Sequence, residues 1–144
     1  MVAVQNWTWQ EGDDLVMSMI YREGPDGSEV PIDLTGYSLR MDVASVTDGT
    51  RIFTFNSDDI VGGGTGVDVV GPADNEATLG SDGSINIVVP RALTLPGGAV
   101  AALYVGSDTS LVMNYDIFLR NPSNLQSKIL RGTITVERSY TLWQ

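Results

Sequence analysis

Apolar and polar residues alternate along most of this chain, and a period of two belongs to extended strands, whose side chains point to opposite faces in turn. The clearest stretch runs from Tyr37 to Val43. There Tyr37, Leu39, Met41 and Val43 would enter a core while Ser38, Arg40 and Asp42 face water. Met113–Leu119 repeats the pattern with Asn114 and Asp116 on the wet side. Leu130–Val136 repeats it again with Thr133 and Thr135, residues suited to a pleated, half-exposed surface. Shorter candidates are Asn6–Gln10 with Trp7 and Trp9 packed inward, Arg51–Asn56 with Ile52, Phe53 and Phe55, and Ser84–Val89 with Ile85, Ile87 and Val89. Leu15–Arg22 is apolar on both sides, which predicts a central strand covered on each face. Seven strands predict an all-β, immunoglobulin-like sandwich of about seven antiparallel strands.

The turn residues agree. Gly24-Pro25-Asp26-Gly27 is a strong turn signal, Asp48-Gly49 sits between two strands, and Asn121-Pro122-Ser123-Asn124 separates the last two. Pro31 and Pro90 cannot donate to a ladder and mark an edge or a strand end. A single helical turn is expected over Pro90–Leu95, with Pro90 at its first position and Pro96-Gly97-Gly98 stopping it. The stretch 57–81 contains Gly62-Gly63-Gly64-Thr65-Gly66, and between Ile52 and Pro90 stand six acids and no base. It reads as one long Gly/Asp-rich loop inserted in a single domain, 1–144.

Composition narrows the chemistry. A chain of 144 residues can bury roughly 70% of its extended surface, so a core forms without staples. It holds no cysteine and no histidine, which removes disulfides, thiolate ligands, the commonest general base and every Ser-His-Asp arrangement. The expectation is a protein that is not an enzyme and takes no cofactor or metal. Eighteen acids against eight bases give a net charge of −10, which disfavours nucleic acid and anionic membranes as partners. No apolar run is long enough to cross a bilayer, and Met1–Asn6 lacks the start of a signal peptide, so a protein made in the cytoplasm that stays there, or leaves as part of a larger particle, is expected.

Each candidate site has a simpler explanation. The glycine run lacks the Gly-Lys-Ser/Thr of a phosphate loop, and Lys128 is the chain's one lysine. Asp58, Asp59, Asp68, Asp74, Asn75, Glu76 and Asp82 supply the oxygen ligands calcium wants without the spacing of a known calcium loop. A glycosidase pair such as Asp58 with Asp68 would need an aromatic-lined cleft, and 57–81 has no aromatic. Protein contacts are the better expectation. Tyr140, Leu142 and Trp143 in the terminal segment and Val61, Val67 and Val69 in the long loop are the expected interface residues.

A longer pattern supports that expectation. Gln10-Glu11-Gly12-Asp13-Asp14 leads to Tyr21-Arg22-Glu23, then Pro25-Asp26-Gly27, then Val30-Pro31-Ile32-Asp33-Leu34-Thr35-Gly36-Tyr37-Ser38-Leu39-Arg40-Met41. Further on come Ser81–Ile87, Met113–Leu119 and Ile129–Val136 in the same order. The whole resembles a class of small phage and prophage virion proteins, some similar to the N-terminal domain of upper baseplate proteins. The stretch 57–81 departs from that pattern. The resemblance implies an immunoglobulin-like sandwich in the tail, baseplate or head-to-tail connector. It implies other virion proteins as partners and no catalytic residues, and several copies around a symmetry axis are expected because closed cyclic assembly is the ordinary way a small domain gains contact area. The alternative is a carbohydrate- or host-surface-binding module, which would need exposed aromatics.

Overall fold

The computed structural model describes residues 3–56, 76–79, 82–104 and 109–138. Eleven strands are described: β1 (Ala3–Val4), β2 (Trp7–Gln10), β3 (Leu15–Ile20), β4 (Arg22–Glu23), β5 (Val30–Pro31), β6 (Ser38–Ser45), β7 (Arg51–Asn56), β8 (Glu76–Leu79), β9 (Ser84–Val89), β10 (Ser110–Arg120) and β11 (Gln126–Glu137). They form a six-stranded sheet in the order β1-β11-β10-β6-β7, with β2 also on β11, and a three-stranded sheet β3-β9-β8. The remaining pair, β4 and β5, makes a short ribbon.

The connectivity is that of an immunoglobulin sandwich. Strands β6, β10 and β11 occupy the places of C, F and G, with β7 added beside C as in variable-type domains. Strands β3, β9 and β8 occupy B, E and D. One core lies between the sheets, fed by Leu15, Met17, Ile85, Ile87 and Val89 from one side and by Leu39, Met41, Val43, Phe53, Met113 and Ile117 from the other. Antibody domains pin strands B, C and F with two cysteines and a tryptophan. Here Met17, Met41 and Met113, all fully buried, fill the interior along the same three strands. Flexible thioethers fit an irregular gap that a disulfide would otherwise clamp.

All seven strands expected from the alternation are present. Trp9 is buried, and Trp7 donates from Nε1 to the Tyr115 hydroxyl at 2.8 Å. The hairpin between β6 and β7 turns at Gly49 (φ 73°), with Asp48 Oδ1 accepting from the Thr50 amide at 2.9 Å. Gly36 also adopts a positive φ, 83°, and an added Cβ would come within 3.2 Å of Pro122, so its role is structural.

Three expectations need correction. Leu15–Arg22 is no doubly covered central strand. β3 lies at the edge of its sheet, and Val16 and Ile20 are 53% and 52% exposed on its outer face. The stretch 57–81 is not loop throughout, because β8 lies inside it and pairs with β9 over Glu76–Leu79. Four residues with one acid among them are too short for their alternation to stand out from a loop. Lastly, the helical turn is a 3-10 segment, Arg91–Thr94, with Pro90 as its N-cap rather than its first residue, and Ala101–Leu103 adds a second.

Candidate interaction surfaces and a buried ion cluster

The interface residues expected from sequence, Val61, Val67, Val69, Tyr140, Leu142 and Trp143, lie outside the described residues, as do Asp58, Asp59, Asp68, Asp74 and Asn75 of the acidic set. Asp82 is a turn-former whose Oδ1 accepts from the Ser84 amide at 3.1 Å. Among the described residues no group of three or more His, Cys, Asp or Glu side chains is placed to hold a metal ion. No helix among them is long and apolar enough to cross a membrane.

Two outer faces differ sharply in chemistry. On the six-stranded sheet, Arg40, Asp42, Asp116, Lys128 and Arg131 stand on the side away from the core, as the cross-strand registers require. Arg40 Nε reaches Asp42 Oδ1 at 2.9 Å, Lys128 Nζ reaches Asp116 Oδ1 at 3.2 Å, and Lys128 also lies 5.5 Å from the centre of the Phe118 ring. This face is a lattice of solvated ion pairs, worth little each and well able to stay wet.

Strands β3 and β9 of the three-stranded sheet are the opposite. Neither β3 (Leu-Val-Met-Ser-Met-Ile) nor β9 (Ser-Ile-Asn-Ile-Val-Val) carries a charged residue, in a chain with 26 of them. Val16 registers against Val88, Ser18 against Asn86 and Ile20 against Ser84, and Ser18 Oγ donates to Asn86 Oδ1 at 2.7 Å. No described strand pairs with β3 on its far side. An edge without Lys, Pro or bulge lacks the usual devices that keep other chains from adding to it. The large hydrophobics exposed among the described residues are aliphatic, including Val16, Ile20, Val30 and Leu125, whereas a sugar platform wants aromatics.

The 3-10 region covers a buried ionic cluster. Glu11 Oε2 lies 3.8 Å from Arg138 Nε, and the Glu11 side chain is only 1% exposed. The Arg138 guanidinium stacks 4.2 Å from the Tyr104 ring centre, and the Tyr104 hydroxyl donates to the Thr94 carbonyl at 3.1 Å. Thr94 Oγ1 in turn accepts from the Gly12 amide at 2.9 Å. These bonds tie the β2–β3 turn, the 3-10 segment and the end of β11 together beneath one end of the sandwich. Nothing in the arrangement pairs a nucleophile with a base; its parts hold each other.

A clear pH profile follows from the titrating groups. Burial and then the Glu23 carboxylate push the Tyr21 phenol up to about 12, and burial also raises Tyr104 and Tyr115. A phenol whose folded pKa exceeds its unfolded value adds stability below about pH 10 and loses it as pH rises through the folded value. Hydrogen bonds from Thr35, Thr50 and Ser84 lower Asp33, Asp48 and Asp82, so their contribution is present above about pH 4 and fades below it. With no histidine to titrate between, melting temperature measured against pH should be level from about pH 5 to 9 and fall on both sides. A step between pH 6 and 7 would contradict this account.

No family model matches the chain, and no curated protein matches it. Among solved structures, murine CRIg aligns over 94% of this chain and 92% of its own, at 13% identity and a TM-score of 0.38.

Proposed function

We propose that this chain is a structural component of a phage virion, in the tail, baseplate or head-to-tail connector, acting through protein–protein contacts and present in several copies. One structural observation carries the contact role: an edge strand, β3, open on its far side among the described residues, whose outer face joins the uncharged β9 on an otherwise acidic molecule. A strand edge with unpartnered backbone groups is a standard site for strand addition, and uncharged surface is where a molecule of net charge −10 meets neighbours at least electrostatic cost. The placement in a virion rests on the ordered motif from Gln10 through Val136. The buried ionic cluster fits the same reading, since it rigidifies the domain rather than opening a cleft to substrate.

The test is whether the chain travels with particles. Particles purified by density gradient from cells producing the phage that encodes it should contain the chain at a fixed ratio to the major tail or head protein, read by quantitative mass spectrometry. Recovery of the chain only in the soluble fraction, with particles assembled normally without it, would refute the assignment.

A further inference from the structure

Strand β3 is chemically symmetric about its fourth residue. Reading outward from Ser18, Met17 matches Met19, Val16 matches Ile20, Leu15 matches Tyr21 just past the strand's end, and Asp14 matches Arg22. An antiparallel pairing of two identical strands across a two-fold axis at Ser18 brings these residues together. Met17 then stands opposite Met19 of the second copy, Val16 opposite its Ile20, and Asp14 opposite its Arg22. We propose that β3 is the seat of a two-fold contact with a second copy of this chain, joining the two small sheets edge to edge.

The backbone is set up for it. The Tyr21 amide donates to the Gly83 carbonyl at 2.8 Å, which points Tyr21 toward β9. By the alternation of an antiparallel ladder, Leu15, Met17 and Met19 point the same way, and the N–H and C=O groups of Val16, Ser18 and Ile20 point to the open side. With the axis at Ser18 these three residues meet their own kind. Ser18 pairs with Ser18, and each Val16 pairs with the other copy's Ile20, every pair exchanging both hydrogen bonds. A two-fold axis through any other residue of the strand would leave at least one of the three without a partner residue of β3.

The approach is unobstructed among the described residues. The β4–β5 ribbon continues β3, but its second strand follows the β9 side: the Ile32 amide donates to the Tyr21 carbonyl at 3.2 Å, and Gly83 packs against both. Among the described residues the far edge of β3 is therefore left clear along its length. On the outer face, each half-exposed Val16 would gain the other copy's half-exposed Ile20 as a cross-strand neighbour, covering apolar surface that now faces water. Charge selects the same place. Two copies of net charge −10 repel elsewhere, whereas here the strands are neutral and the flanking Asp14 and Arg22 are of opposite sign. Such an isologous contact is self-complementary and closes at two copies, leaving the large sheets free for other neighbours. The proposal rests on the contact role of β3 given above but does not require placement in a virion.

The absence of cysteine makes a direct test available. Residues facing each other as a hydrogen-bonded antiparallel pair have Cα atoms about 5.5 Å apart, within disulfide reach. A Ser18→Cys chain should form a disulfide-linked dimer under mild oxidation at least tenfold faster than a Val46→Cys chain, whose exposed cysteine lies near the β6–β7 hairpin. The unmodified protein should sediment as a concentration-dependent dimer, and Val16→Lys should shift it to monomer while its circular dichroism stays unchanged. Equal cross-linking rates at the two positions, a dimer insensitive to Val16→Lys, or a monomer throughout would each overturn the proposal. Particle sedimentation is a separate readout, so failure here leaves the virion assignment to stand or fall on its own test.

Discussion

Replacing Gly132 by alanine is expected to lower the melting temperature by about 10 °C, corresponding to roughly 3–4 kcal/mol. Gly132 sits in β11 opposite Tyr115 of β10, where the chain passes from β1 to β2. A Cβ there would land on the Gln5 carbonyl oxygen, 2.8 Å from the carbon of the same carbonyl and 2.9 Å from Asn6 Oδ1. The atoms it would displace are already in use. The Gln5 amide donates to the Arg131 carbonyl at 2.9 Å, its carbonyl accepts from the Tyr115 hydroxyl at 2.6 Å, and Asn6 Oδ1 accepts from the Thr133 amide at 3.0 Å. Overpacking alone costs about 1–3 kcal/mol, and each bond lost adds about 1. The cause can be isolated by a cycle with deletion of residues 1–6. In the shortened chain the alanine has nothing to strike, so its effect on thermal unfolding should nearly vanish. An equal penalty in both backgrounds would place the cost within β11 itself.

Arg138→Ala should be comparably severe, at about 3–5 kcal/mol. The Glu11 carboxylate is almost fully enclosed, and Arg138 is its basic neighbour at 3.8 Å. Removing the guanidinium strands a negative charge in low dielectric and also strips the cover from the Tyr104 ring. Adding Glu11→Gln to Arg138→Ala should recover part of the loss, since a neutral amide is cheaper to bury than a charge. Denaturant unfolding of the single and double variants measures this. A double variant no more stable than Arg138→Ala would show that lost packing, not stranded charge, is the cause.

The strands were legible in the sequence wherever one face is buried and the other wet. Tyr37–Val43 and Met113–Leu119 are the plainest examples, because there the period of two is enforced by the core on one side and charged partners on the other. Where the two faces are alike, period says nothing about environment. Leu15–Arg22 is apolar on both sides, and that reads equally as a strand sandwiched between layers or as an edge awaiting a partner. The signal that separates the two was present but lay in symmetry and neutrality rather than in period. Short strands were lost for a different reason: β1, β5 and β8 span four residues or fewer and are defined by their neighbours, not by their own composition. The Glu11–Arg138 cluster could not be read at all, since its members stand 127 positions apart and meet only once both sheets have formed.

The same separation governs the order in which the molecule can be made. β1 and β2 are translated early, yet their partner in the sheet is β11, so Ala3 must wait for Leu130 and Trp7 for Ile134. Parallel pairing over such a span gives a high contact order and slow closure. A nascent chain cannot complete the large sheet until β11 has left the ribosome. Until then the N-terminal tryptophans and the flank of β10 remain without cover, the condition in which partly made chains aggregate or are captured by chaperones. Strand β11 therefore acts as a completion check: a chain truncated before it lacks the strand on which β1 and β2 are seated.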